Sequence, residues 1–183
     1  RSIMNHDLET GISFMKIVEG LDEGPYLKQI KIKIDNQTTS KVLSENLSKI
    51  GSENILDCLK LIEDGKAKFI DQNSQNASYA KKISKKEAKI NWEDTAKNVL
   101  SKINALNPAP GAWFEYNGSR YKVWRAAISE KSGKVGEILD GKLTVACKEK
   151  SINILEIQKE GKNKMMVEDF LLGTKIASGE KVS

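Results

Sequence analysis

AWFEYNGSRYKVWRAAI, Ala112–Ile128, is the stretch that decides how the second half of the chain folds. Apolar or aromatic residues alternate with polar ones on both sides of Asn117-Gly118. Asn-Gly readily takes the two φ > 0 positions of a type I′ turn, so Ala112–Tyr116 and Ser119–Ile128 read as the arms of a hairpin. Upstream, Pro110-Gly111 marks a turn, and Asn107-Pro108 ends an amphipathic helix over Trp92–Leu106 with Ala96, Val99, Leu100 and Ile103 on one face. Downstream, Glu137–Leu139 and Leu143–Cys147 flank Asp140-Gly141 as a second hairpin. Ser151–Gln158, with Ile152, Ile154, Leu155 and Ile157, makes a fifth strand, and Glu168–Leu172 a short terminal helix or turn. Five short antiparallel strands with a helix at one end predict a small barrel of OB type.

The first third of the chain has a different texture. Ile12–Val18 (ISFMKIV) is apolar on both faces, as in a strand covered on both sides. Leu27–Ile34 alternates Ile30, Ile32 and Ile34 with Lys31 and Lys33, a half-exposed strand near a sheet edge. The loop Glu19–Pro25 between them is rich in turn residues. Thr38–Asp64 has helical spacing in two stripes, Leu43, Leu47, Ile50 and then Ile55, Leu59, Ile62, with Gly51 as the break. Two strands and two helices are only part of a doubly wound sheet, and the chain opens on Arg1 without an initiator methionine, so it reads like a fragment. The predicted fold class is therefore α/β plus β: an incomplete Rossmann-like domain over residues 1–64, a lysine-rich linker over 65–90, and an OB-like domain over 91–183. The linker holds the polar run Asp71–Asn76 and the cluster Lys81, Lys82, Lys85, Lys86 and Lys89. Within it, Ser84 and Glu87 have the spacing of a capping box.

Composition narrows the function classes. The 183 residues carry 30 basic and 25 acidic side chains, a net charge of +5 that suits a polyanionic partner. All the basic residues but Arg1, Arg120 and Arg125 are lysines. No apolar stretch approaches the length of a membrane span, and a cytoplasmic location is expected. Cys58 and Cys147 lie far apart in apolar-periodic segments, a spacing that makes neither a metal motif nor a redox pair.

Three stretches, in order, resemble the methionyl-tRNA formyltransferase family: RSIMNHDLETGISFMKIVEGLDEGPYL (Arg1–Leu27), SYAKKISKKEAKINW (Ser78–Trp92), and INALNPAPGAWFEYNGSRYKVWRA (Ile103–Ala126) followed by VGEILDGKLTVAC. The first block belongs to folate-dependent formyltransferases at large; the other two narrow the resemblance to the tRNA enzyme. It implies transfer of a formyl group from 10-formyltetrahydrofolate, without a metal, to the α-amine of initiator methionyl-tRNA by a monomeric enzyme. The family's HxSLLP-type folate segment and its catalytic asparagine and histidine are not in this chain, so as given it is expected to be inactive alone. Of the family's catalytic trio only the aspartate of the LDxGP loop carries over, onto Asp22. A carboxylate there suits relay of the proton that the amine must lose. The backbone of Val18, Glu19, Gly20 and Leu21 would form one wall of the pterin pocket.

Taken alone, Asp22 is also what a simple loop-bending aspartate looks like. His6, the single histidine, reads as an exposed turn residue. The lysine cluster is either a solvated tether or, as the resemblance implies, a strip in which Lys81, Lys82, Lys85 and Lys86 meet tRNA phosphates. Arg120, Lys122 and Arg125 stand among Trp113, Phe114, Tyr116, Tyr121 and Trp124, and alternation does not say which of these aromatics face outward. Two other functions fit the sequence: a formyltransferase for a nucleotide-linked amino sugar, and a non-catalytic RNA-binding module.

Overall fold

The computed structural model describes residues 1–183. It begins with β1 (Glu9–Met15) and β2 (Tyr26–Lys33), which pair with each other antiparallel, from Glu9 opposite Lys33 to Met15 opposite Tyr26. Lys16 to Pro25 join them, too short a connection for the crossover that a parallel pair needs. Next comes α1 (Ser40–Glu63), one unbroken helix of 24 residues, capped by the Thr39 side chain, which accepts from the Val42 N–H. It runs straight through Gly51, whose bare Cα faces Ile12 Cδ1 on β1.

The second half is a curled antiparallel sheet with a short helix at each side. Helix α2 (Ala96–Ala105) is capped by Thr95, whose hydroxyl accepts from the Asn98 N–H at 3.2 Å. The strands are β3 (Ala112–Tyr116), β4 (Ser119–Ser129), β5 (Thr144–Ala146), β6 (Ser151–Lys159) and β7 (Met165–Met166), and α3 (Val167–Gly173) follows. The sheet order is β3-β4-β6-β5, with β7 on the other part of β6. Asn117 and Gly118 both have positive φ, as the β3–β4 hairpin turn requires. Strands β3 and β5 do not pair; the C-terminal tail spans between them. Ser183 exchanges backbone hydrogen bonds with Glu115, and Gly136 and Ile138 bond to Val182, Glu180 and Gly179. Tyr116 Oη also donates to the Glu180 carboxylate, a contact that, with burial, raises the phenol above its usual range.

Ile103 of α2 and Leu106 just after it pack into one core with Phe114, Val123, Ile138, Ile152, Ile154 and Ile157, all fully buried. Phe114 lies stacked on Tyr121 at 5.5 Å between ring centroids, and Trp92 meets it edge-on at 5.9 Å.

The structure corrects the expected fold class. It contains no Rossmann-like domain: the first two strands form an isolated antiparallel hairpin, because a two-residue period identifies a strand without naming its partner. Nor is there a linker. Ile70 bridges Tyr26, Lys89 bridges Trp113, and Ala88 and Ile90 are buried in the core. In place of a closed OB barrel there is a curled sheet. The two halves are joined directly: Ser40 Oγ donates to the Asn107 carbonyl at 2.6 Å, and Asn104 Nδ2 to the Asn36 carbonyl at 2.8 Å. Strand β1 starts and ends three residues earlier than expected, which leaves Ile17 and Val18 in the loop.

The Asp140-Gly141 turn gives a pH handle on this fold. Burial would raise the Asp140 carboxyl, but the Lys131 ammonium and the N–H groups of Lys142 and Thr144 outweigh it and hold the group at about 2. A depressed folded-state value means stability present above the ordinary carboxylate range and lost as pH falls towards 2. Asp140→Asn is expected to cost at most about 2 kcal/mol at pH 7 and almost nothing near pH 2, read from urea midpoints at both. An equal cost at both pH values would show that the charge is immaterial.

Candidate active-site loop and nucleic-acid interface

The loop between β1 and β2 is pinched at its neck, where the Lys16 N–H donates to the Pro25 carbonyl at 3.0 Å. The register slips between Phe14 and Met15, so Leu27 faces no partner across the neck. Gly24 is obligatory there, since a Cβ would collide with the Lys16 carbonyl. Asp22, at the tip, has φ of 57°, in the left-handed region that aspartate tolerates better than most residues. The loop turns its apolar side chains outward: Ile17 is 96% exposed and Leu21 85%, with Val18 also exposed.

One side chain from far along the sequence fixes this loop. Gln72 Nε2 donates to the carbonyls of Asp22 at 2.8 Å and Gly24 at 2.7 Å. Those bonds satisfy the Asp22 and Gly24 carbonyls without using the Asp22 carboxylate, and Asp22 is exposed. Gln72 was missed in the sequence because it lies in a polar run, Asp71–Asn76, with no periodicity to single it out.

The basic residues divide. Lys85, Lys86, Arg120 and Lys122 line one groove of about 450 Å³ together with Pro110, Gly111 and Trp113. The groove forms because the lysine segment is tied to the sheet. Ser84 and Glu87 make the expected capping box, with the Glu87 N–H donating to Ser84 Oγ at 3.2 Å and the Ser84 N–H to Glu87 Oε2 at 3.4 Å. The Ile90 N–H then donates to the Trp113 carbonyl at 2.7 Å. Lys81 and Lys82 lie outside the groove; their carbonyls accept from the Arg1 guanidinium, which is also paired with Glu87. Arg125 is exposed but does not line the groove, and register shifts on both its sides break the alternation of β4 there. None of these seven cations is within 4.0 Å of a carboxylate, so their charge is not neutralised inside the chain.

The hairpin aromatics sort cleanly. Phe114, Tyr116 and Tyr121 are buried, whereas Trp113 and Trp124 are half-buried under cations: Arg120 lies 4.1 Å from the Trp113 ring and Lys122 5.6 Å from that of Trp124. His6 lies in a turn, as expected, but is not exposed. It is half-buried, with Nε2 2.8 Å from Asn98 Oδ1 and Nδ1 2.9 Å from Ser101 Oγ, and so anchors the N-terminal segment to α2. No three His, Cys, Asp or Glu side chains are grouped to hold a metal ion, and no helix is long and apolar enough to cross a membrane.

The structure thus joins a hairpin-and-helix unit carrying an acidic loop to a curled β-domain with a basic groove. The chain belongs to the formyl transferase family: residues 82–175 match its C-terminal domain. A methionyl-tRNA formyltransferase from Pelagibacter ubique (strain HTCC1062) is 41% identical over 184 residues, covering 100% of this chain and 59% of that protein. The chain spans about 60% of the length of the curated relatives it matches. HypX from Aquifex aeolicus, solved in complex with tetrahydrofolic acid, superposes with a TM-score of 0.69 at 21% identity, covering 93% of this chain and 31% of that one. A methionyl-tRNA formyltransferase from Clostridium thermocellum gives 0.57 at 18% identity, covering 70% and 55%. At such identities these two structures speak for the fold alone.

Replacing Gln72 by Ala should free the two carbonyls while leaving the core untouched. We expect faster amide hydrogen exchange confined to residues 17–24 with the melting temperature held within about 2 °C, a change that a surface substitution away from the core allows. Unchanged exchange in that loop would mean that its conformation does not depend on Gln72.

Proposed function

We propose that this chain is the C-terminal part of a methionyl-tRNA formyltransferase, acting in the cytoplasm at the start of translation. The observation that carries the reading is the groove of four unneutralised cations, Lys85, Lys86, Arg120 and Lys122, in a chain of the formyl transferase family. Lysine ammoniums act on phosphates as point charges, and guanidinium as a planar fork. Such a strip holds and orients a nucleic-acid backbone and carries little sequence information. The same groove disfavours an amino-sugar substrate, whose one or two phosphates would leave most of the cations unused.

The formyl donor in this reading is 10-formyltetrahydrofolate, which supplies an activated formyl group on nitrogen. The residues present fit one wall for it. Exposed Ile17, Val18 and Leu21 offer an apolar surface to a flat ring. Glu19 lies on the same stretch of loop. HypX, which shares this fold, was itself solved in complex with tetrahydrofolic acid. Asp22 supplies the acid–base chemistry: the neutral methionyl α-amine attacks the formyl carbon, and the carboxylate takes the proton that this nitrogen then sheds and passes it to the folate nitrogen as the bond from that nitrogen to the formyl carbon breaks. Holding that carboxylate on a φ-positive, backbone-stapled tip fixes its direction, which is where strained residues are useful.

In the full-length enzyme Asp22→Asn should lower kcat by about 10²–10⁴-fold with the melting temperature unchanged, because it keeps shape and removes the proton acceptor. Near-parental turnover would reduce Asp22 to a loop residue. For tRNA, the groove geometry separates the lysines. Replacing Lys85 and Lys86 by Gln should flatten the plot of log affinity against log salt by about 0.7–0.9 per lost phosphate contact, equally for initiator and elongator tRNA. Replacing Lys81 and Lys82, outside the groove, should flatten it less. A parental slope in the first variant would leave the lysine segment as a tether and no more.

A further inference from the structure

Trp113 faces the groove from β3, between inward-facing Ala112 and Phe114, both fully buried. Across the hairpin its direct partner is Lys122, while Arg120 stands opposite Glu115. Arg120 and Glu115 would be the natural cross-strand ion pair. They do not form it. The Glu115 carboxylate instead accepts from Lys89 Nζ at 3.0 Å, and the Arg120 guanidinium lies over the Trp113 indole at 4.1 Å. The difference matters chemically. A carboxylate partner would consume guanidinium donors and cancel its charge. A ring face restrains the guanidinium plane and leaves the N–H edge and the full charge available.

We infer that Trp113 is a positioning residue: it holds the Arg120 guanidinium as a preset fork for one backbone phosphate of the nucleic acid in the groove. The inference rests on the tRNA reading of that groove. The indole itself is not a stacking platform for a base, because its face is already covered by Arg120, with Lys89 a further 5.4 Å contact. The Lys89–Glu115 pair is the second part of the device, since it occupies the carboxylate that would otherwise capture Arg120. The backbone of Trp113 has a separate duty, accepting from the Ile90 N–H, which a side-chain substitution leaves in place. Side chain and scaffold can therefore be tested apart.

The test uses the full-length protein and 5′-labelled initiator tRNA, with binding followed by fluorescence anisotropy across a salt series. R120Q should weaken binding and lower the salt slope by about 0.7–0.9, one phosphate. W113L, which removes no charge, should weaken binding about two- to fivefold, the range of an exposed cation–π contact, and lower the slope part of the way towards R120Q. In the R120Q background W113L should add nothing, and W113F, which keeps a ring, should restore most of the loss. In tRNA-free protein, the Arg120 Nε–Hε order parameter should fall in W113L and recover in W113F. The inference is overturned if W113L weakens binding equally in both backgrounds, or if it leaves binding or the order parameter unchanged. Parental affinity and slope in R120Q, together with an unchanged order parameter in W113L, would sink both the inference and the tRNA reading of this groove. An order parameter lost in W113L, with tRNA binding parental in R120Q, would locate the failure in the reading of the groove alone. Should W113L fail to fold by circular dichroism, W113F in the two backgrounds supplies the same comparison at smaller amplitude.

Discussion

The hydrogen bond from the Ile90 N–H to the Trp113 carbonyl, with the Lys89–Trp113 bridge around it, is the constraint on which the functional half of the molecule depends. Without it the lysine-rich stretch would be a solvated tether, its charges averaged over a wide volume and screened beyond about 8–10 Å. With it, burial of Ala88, Ile90 and Trp92 on either side of the bridge draws the segment onto the sheet. Lys85 and Lys86 then become one wall of a groove whose other wall is β4. Packing and electrostatics are coupled at this point, since the apolar residues that anchor the segment also set where its cations stand.

How much of this could be read from the sequence depended on how local the determining interaction was. The Asn117-Gly118 hairpin, the Thr95-capped amphipathic helix before it and the Ser84/Glu87 capping box were all legible, because the residues that specify each lie within a few positions of each other. The pairing of β1 with β2 was not inferred, although the ten residues between them argue for it; the apolar Ile17 and Val18 suggested a longer, covered strand. Gly51 looked like a helix break. Its cost in a helix is only about 1 kcal/mol, and here it faces Ile12 of β1. Gln72 carried no signal at all, because its two bonds to the Asp22 loop exist only once residues about fifty positions apart have met. The site's residue types were thus readable, and the partners that hold them were not.

The two candidate sites solve opposite electrostatic problems with the same economy. At the loop, the need is a free carboxylate on a rigid backbone. A neutral side chain, Gln72, does the fixing, since a lysine in its place would pair with Asp22 and hold the acid ionised and occupied. At the groove, the need is free cations on a rigid sheet. There an aromatic ring does the fixing, and the one nearby carboxylate, Glu115, is diverted to Lys89. In both places the restraining group carries no formal charge and spends none of the functional group's hydrogen-bonding capacity. That separation of what holds a side chain from what the side chain does keeps the Asp22 carboxylate and the four cations of the groove out of ion pairs. Elsewhere the opposite holds. Lys41–Glu45 and Lys49–Glu53 along α1 and Lys31–Glu9 across the hairpin are ordinary exposed pairs, screened by solvent and of little weight for stability. Their members are mutually satisfied, whereas Lys85, Lys86, Arg120 and Lys122 stand unpaired together around one groove.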